Sequence, residues 1–365
     1  MDKSIDVSDK KQDVPYFRVE GIKDILKSWN IPQDLFKPLG NYHKRNVNHL
    51  EILLELFPEK PWDWQTLSNN PNITWNIIQN NPDKPWNWGY LSYNFNTTWE
   101  IIERHPEIRW DWYWISRNPN ITWEIVQGNP DKPWDWDGLS YNPNITREVI
   151  EDHPDKPWDW IGISHNPNIT REFLKNHITE RWDWEDLLQN PVVTWDIIVE
   201  NNFVEPRGIG YISVNPGITW DIVENNIDKA WDWDGLSGNP SITWDIIRAN
   251  PHVPWKLDRF SWNPNITCDI IQENPDKQWD WYGLSQHVNL KWDIIKGHPD
   301  KPWNWRSLSK HPNITWEIIE KHPEMPWEWN GISMNPNITW EIVYDNKDKP
   351  WNWGCLSHNT FGSNR

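Results

Sequence analysis

Cysteine is almost absent from this chain, with Cys268 and Cys355 the two in 365 residues. That count excludes a disulfide framework and a cysteine-ligated iron–sulfur cluster. Basic residues are outnumbered, 35 Lys and Arg against 53 Asp and Glu, for a net charge of −18. Phosphate backbones and anionic lipid faces need a basic surface, so neither nucleic acid nor a membrane is an expected partner. No apolar run approaches the ~20 residues that span a bilayer. The opening MDKSIDVSDKKQDVP is polar and lacks the apolar core of a secretory signal, so the expected compartment is the cytoplasm. GxGxxG, P-loop, HExxH and GxSxG patterns are all missing, and no catalytic residue, metal or cofactor is expected.

What the chain has in excess is tryptophan, 35 residues, and it is spaced. The first Trp of a PWDW-like unit falls at Trp62, Trp86, Trp110, Trp134, Trp158 and Trp182. It falls again at Trp231, Trp255, Trp279, Trp303, Trp327 and Trp351, with 24 residues between copies in each series. From Trp182 to Trp231 there are two periods plus one inserted residue, filled by a degenerate copy with Arg207 and Ile209 in the Trp places. A fixed period of this length specifies a repeat array rather than a domain with a central core. Such a share of bulky apolar side chains can bury surface, which argues against disorder despite 31 Pro.

With the leading Trp as position zero, Asp or Asn at position one can cap a helix whose positions two, five and six share a face. Position five is apolar in all thirteen copies, and position six is Ser in twelve, with Leu188 the exception. A small residue there predicts a close approach of neighbouring helices. Asn-Pro ends this helix. A second helix opens at Thr74, Thr98, Thr122, Thr146 and their counterparts, and carries an apolar pair such as Ile77-Ile78 or Val149-Ile150. Glu100, Glu124, Glu148 and Asp196, two places after the Thr, suit the positive end of the helix dipole. Each helix is about two turns long and marginal alone, so stacking must stabilise it. Asn-Ile-Thr sequons recur, as at Asn72, Asn120, Asn144 and Asn337. They read as turn and cap residues, since no signal would deliver them to a glycosylation machinery.

The unit L-S-x-N-P…I-I-x-x-N-P is carried by Leu139, Ser140, Asn142, Pro143, Val149, Ile150 and Pro154 in one copy. It resembles the leucine-rich repeat variant family over roughly residues 60–358, with the Trp pair as a departure. The resemblance implies a right-handed superhelix that alternates α and 3₁₀ helices. The stretch NPNITWEIVQGNPDKPWDW is also similar to Trp- and Asn-rich repeat proteins of giant DNA viruses of amoebae. That likeness implies an infected cell's cytoplasm, or a virion, as the place of action.

The expected fold is therefore all-α, a right-handed α-solenoid of about thirteen 24-residue two-helix repeats. Residues 1–14 read as a flexible arm, 15–47 as an N-terminal helical cap, 48–358 as the solenoid and 359–365 as a tail. Residues 48–58, with Leu53 and Leu54 in the places of the Ile pair, are the second half of an opening repeat. An elongated array with helices ~8–10 Å apart would have a contour of roughly 100–130 Å.

Carboxylates recur because helix starts recur. His105, His153, His298 and His322 take the Asn place before Pro, a turn position. Neither set points to catalysis, so the expected role is a non-enzymatic scaffold for protein–protein interaction or assembly. Variation between copies marks the candidate partner face. Positions three, four and seven vary, and there stand Tyr90, Tyr93, Trp114, Arg117, Tyr141, His165, Trp262, Tyr282 and Met334. Tyr, Trp, Arg and Met are enriched where interfaces bind. A second candidate is the Trp at position thirteen: Trp75, Trp99, Trp123, Trp195, Trp220, Trp244, Trp292, Trp316 and Trp340, replaced by Arg147, Arg171 and Cys268 in other copies. A place that accepts Arg is partly exposed. Such a row could stack on sugars, making a carbohydrate-binding or structural virion component the alternative. It could also be a lid over the Ile pair.

Leu139, Val149 and Ile150 should be buried, and Tyr141 more exposed than any of them. The interruption NNFVEPRGIGYI, residues 201–212, loses two Trp rings that could each bury ~150–250 Å². In a linear array a weak unit weakens two interfaces. Hydrogen exchange should therefore be faster in the helices flanking 200–212 than around 125–150 or 270–295. Uniform protection along the array would reduce the interruption to a surface loop that absorbs one residue.

Overall fold

The computed structural model describes residues 48–201 and 206–362. The expected arm 1–14 and cap 15–47 lie outside the described residues. These residues hold twenty-six helices and no strand, the all-helical repeat array that the period specifies. The chain divides into two compact units, 1–58 and 59–365. In the first, the described helix is His49–Leu56, with Leu50, Ile52, Leu53 and Leu54 buried and Asn48 accepting the Glu51 amide as N-cap.

The second unit holds the repeats, and the fourth shows their plan. Its first helix, Trp136–Ser140, is capped by Asp135, whose carboxylate accepts the Gly138 amide at 2.8 Å. Leu139 donates to the Asp135 carbonyl as in an α-helix, while Tyr141 and Asn142 donate to Gly138 and Leu139. The 3₁₀-type bonding thus sits in the closing turn. The second helix, Arg147–Asp152, begins after Thr146, yet the Thr146 hydroxyl caps no amide. It bonds Glu148 instead. Arg147 first, then the helix-start amide and that hydroxyl, hold the Glu148 carboxyl down to about 2. Leu139 and Ile150 are buried, whereas Val149 and Tyr141 are both only partly buried.

Junctions between repeats are built from polar groups that the spacing did not reveal. Asn142, at position eight, is fully buried. Its side-chain amide donates to the carbonyls of Ser116, Asn118 and Ile121 in the preceding repeat, at 2.7, 3.0 and 3.1 Å. Its oxygen accepts the Asn144 amide at 2.8 Å. The position-six serine is a relay rather than only a small residue. Ser140 Oγ donates to the Trp136 carbonyl at 2.8 Å and accepts the Asp159 amide of the next repeat at 2.9 Å. The leading Trp134 seals the same junction. Its indole N–H donates to the Asn129 carbonyl, and its ring meets Trp112 edge to face at 5.3 Å. Groups buried this way must be paired, so each junction is specified by geometry as well as by apolar area.

The same bonds join the last repeat to the first. The Asp63 amide donates to Ser357 Oγ at 3.0 Å, across 294 residues. Asn70 donates to the carbonyls of Ser357 and Asn359, and Asn72 to that of Thr360. Trp62 meets Trp353 edge to face at 5.0 Å. The described residues of this unit, 59–201 and 206–362, are thus a closed ring of thirteen repeats, not an elongated array. Like junctions rotate each repeat by a like angle, and ~28° per repeat brings the thirteenth onto the first. Asn359 to Phe361, expected as the start of a tail, carry the junction pattern across this seam, with Phe361 buried and donating to Asn359 Oδ1.

Helix pairs that approach most closely are all pairs of first helices. A Cβ on Gly138 would lie 2.5 Å from the Tyr113 carbonyl oxygen, and one on Gly331 would lie 2.6 Å from that of Arg306. In a ring of two concentric layers the more tightly spaced layer is the inner one, so first helices line the lumen and second helices the rim. The interruption does not break the ring. Ile209 and Ile212 are fully buried, and Asn215 donates to the carbonyls of Leu188, Asn190 and Val193. The serine relay is missing there, because Leu188 has no hydroxyl.

Closure yields a direct test. A photo-crosslinker in place of His358 should link to the peptide containing Thr66, whose hydroxyl lies 3.4 Å from His358 Nε2 across 292 residues. Links confined to neighbouring repeats would show an open arc.

Candidate recognition face

Positions three and seven stand on the free side of the first helices and therefore face the lumen. Position four, expected on the same face, is buried against the preceding first helix in the copies of Gly138, Gly162, Gly235, Gly283, Ser307 and Gly331. It is open in others, such as that of Tyr90. Tyr90, Tyr93, Trp262 and Tyr282 are exposed there, at 44, 38, 44 and 53 %. Trp114, Arg117 and Met334 are half-buried, and His165 is exposed. The structure brings several of these together across successive repeats, with Trp114 and Arg117 from one repeat. Tyr93 packs against Trp114 at 5.4 Å. The Arg117 guanidinium sits 5.7 Å from the Trp114 ring centre and 4.2 Å from that of Tyr141. Tyr141 meets His165 at 5.3 Å, and His165 Nε2 lies 2.6 Å from Asp186. Tyr141 is half-buried for this reason: a ring at position seven stacks on its counterparts one period away, a contact invisible within a single repeat. Trp262 and Tyr282 form a second pair at 6.0 Å, and the Trp262 indole donates to Asp280. Met334 joins neither group through a ring or ionic contact.

Charge on the face is unevenly settled. Burial pulls the His165 imidazole down, but the Ile161 carbonyl and the Asp186 carboxylate prevail and raise it above its ordinary 6.5. Asp183 lies close enough that its oxygen, His165 and Asp186 come within 4.8 Å of one another. Asp183 also caps its own helix by accepting the Asp186 amide. Asp137 is held above the usual carboxylate range by burial, then by the charges of Asp159 and Asp135.

The nine position-thirteen tryptophans are all half-buried. Those with a defined ring contact lie against a leading Trp, as Trp99 does against Trp134 at 5.6 Å and Trp316 against Trp351 at 5.8 Å. Their Arg replacements form ion pairs instead, Arg147 with Glu148 and Arg171 with Asp196. The sequon asparagines are committed as well. Asn144 and Asn337 each donate to two carbonyls of the preceding repeat. A glycan on that nitrogen would break the junction.

Two rungs of the ladder carry histidine. His287 and His311 stand in the Asn142 place, with Nε2 donating to the carbonyls of Asn263 and His287 at 3.2 and 3.0 Å. Their Nδ1 atoms accept the Asn289 and Asn313 amides. Both ring nitrogens are used, which fixes the neutral tautomer. This substitution was the signal for the ladder, since His is another side chain that can both donate and accept.

No protein-family model, curated protein or solved structure matches the chain. No helix among the described residues is long and apolar enough to cross a membrane.

The histidines give opposite pH dependences. Burial lowers His287 and His311 below 6.5, against the pull of their carbonyl partners. Their contribution to stability should be complete above pH ~6.5 and fall as acid protonates the unfolded chain first. His165, raised, should contribute below pH ~6.5 and lose its contribution as pH rises through its higher value. NMR titration should place His165 above 6.5 and the other two below. Asp186→Asn should lower His165 alone. A common pKa for all three would contradict the assigned bonds.

Proposed function

We propose that residues 59–365 act as a non-enzymatic, ring-shaped scaffold that recognises a protein partner through the lumen face. The distribution of exposed apolar side chains carries this reading. Among the described residues ten large hydrophobic side chains are exposed, and six of them (Tyr90, Tyr93, Ile161, Val214, Trp262 and Tyr282) stand at positions three, four and seven, three places in a period of 24. A scaffold needs the same residue in every copy, while a recognition face is free to differ between copies, and these positions differ. The position-thirteen Trp row suits sugar stacking less well, because its rings rest against the leading tryptophans. The likeness to giant-virus repeat proteins adds the proposal that the partner is met in an infected cell's cytoplasm or in the virion.

Photo-crosslinkers at Tyr90 and Tyr282, compared with one at Tyr344 on a second helix, test this in extract from the source cells. Protein adducts at the first two sites and few at the third are expected. Adducts equally frequent at Tyr344, or glycan binding lost on Trp99→Ala and Trp316→Ala, would replace this reading.

A further inference from the structure

We propose that the junction between repeat nine, residues 255–278, and repeat ten, residues 279–302, is a gate at which mild acid opens the ring. The junction is thinly held in three ways. His287 makes one ladder bond, to the Asn263 carbonyl at 3.2 Å. At the junction before repeat twelve, Asn335 and Asn337 make five. Leu257 takes the place of the Trp that the preceding repeat offers at most junctions. Trp279 therefore lacks the edge-to-face partner that Trp303 has in Trp281 at 4.8 Å. Finally, a small cavity lies at this junction, lined by Ile266, Cys268, Ile271, Leu284, His287 and Leu290. Beside His287, Gln286 Nε2 is buried with no partner, which favours a state that admits water. The serine relay remains, with Ser261 Oγ accepting the Asp280 amide at 2.9 Å.

Acid acts on the remaining ladder bonds directly. His287 Nε2 donates, and Nδ1 accepts the Asn289 amide at 3.3 Å. An added proton has only Nδ1 to occupy, where it would face that N–H. Asn in the same place takes up no proton, so the Asn rungs are indifferent to mild acid. The His287 carbonyl in turn accepts from His311 Nε2 at 3.0 Å, and His311 Nδ1 accepts the Asn313 amide at 3.1 Å. Acid thus loosens both sides of His287. The next junction is better held, by Trp281 with Trp303 and by two bonds from Asn313.

The surroundings do not favour a charged imidazole. Burial weighs most on both rings and their carbonyl partners oppose it. Among the described residues no carboxylate charge reaches either, while the charge of His287 bears on His311. The Cys268 thiol, across the cavity from repeat ten, donates to the Asn289 carbonyl at 3.4 Å. Lys291 and Lys310, the cations nearest in the chain, are exposed. In the opened junction each ring regains its ordinary affinity for a proton. Each histidine can then raise the open fraction by up to about tenfold per pH unit below ~6.5.

Hydrogen exchange of the whole chain tests this, with parent and variants compared at one pH so that the intrinsic rate cancels. At pH 5, amides of residues 261–271 and 284–295 should exchange about tenfold or more faster in the parent than in His287→Asn. At pH 7.5 the two should agree within about twofold. Residues 116–121 and 139–150 should not distinguish them at either pH. Leu257→Trp, which restores the aromatic partner and keeps the histidine, should slow exchange at this junction at pH 5. Small-angle scattering at pH 5 should give the parent a larger radius of gyration than His287→Asn. Acid acceleration spread evenly round the ring, or equal in His287→Asn, would overturn the gate. An unchanged radius would overturn it as loosening without opening.

Discussion

Everything in the ring depends on one buried hydrogen-bonding unit, the position-eight amide shared among carbonyls of the preceding repeat. A lone carboxamide in an apolar layer would be costly. Here each side-chain N–H is satisfied by backbone that the Asn-Pro turn has released from helix bonding, and the serine relay satisfies the amide of the next helix's N-cap residue. The apolar residues around it supply most of the free energy. Leu139, Ile145 and Ile163, each fully buried, are typical, and truncating such residues usually costs ~2–5 kcal/mol. Apolar contacts tolerate sliding, however, and the amide does not. Its bonds set the rotation from one repeat to the next, and the repeated rotation produces closure.

Much of this was legible in the sequence, for definable reasons. The period, the two helices, the burial of position five and of the second apolar residue in the pair, and the half-buried state of the Trp row are all local or single-period properties. The ladder was not legible, because an Asn before Pro has a sufficient explanation as a turn residue. His287 and His311 were the better clue. Closure was not legible either. It depends on the sum of thirteen small rotations, and no residue encodes a sum. The stack from Arg117 through Tyr141 to His165 escaped for a related reason. Residues 24 apart touch only when the junction angle is known.

A lumen face also explains why variability and aromatic exposure coincide. On the rim, an exposed Tyr or Trp would meet any other molecule in solution. Inside the ring it meets only what can enter. The enclosure permits apolar side chains that a free surface of this size would carry at some risk of association.

The interruption at repeat seven is best understood from closure. In an open array the terminal repeats have one neighbour each, and a defective repeat near the middle weakens two junctions with nothing to offset it. In the ring every repeat has two neighbours, and the seam supplies a junction that an open array would lack. That junction has the full set, the Asn70 ladder bonds, the Asp63–Ser357 relay and the Trp62–Trp353 pair. A Trp pair of this kind buries enough area to contribute several kcal/mol at ~25 cal/mol per Å². The interruption forgoes contacts of these kinds, the relay hydroxyl that Leu188 lacks and the leading Trp that Arg207 replaces. With the seam between repeats thirteen and one, repeat seven lies half-way round, where its defect shares no junction with the seam. The ring can carry a weak repeat there because it has no frayed end for that weakness to join.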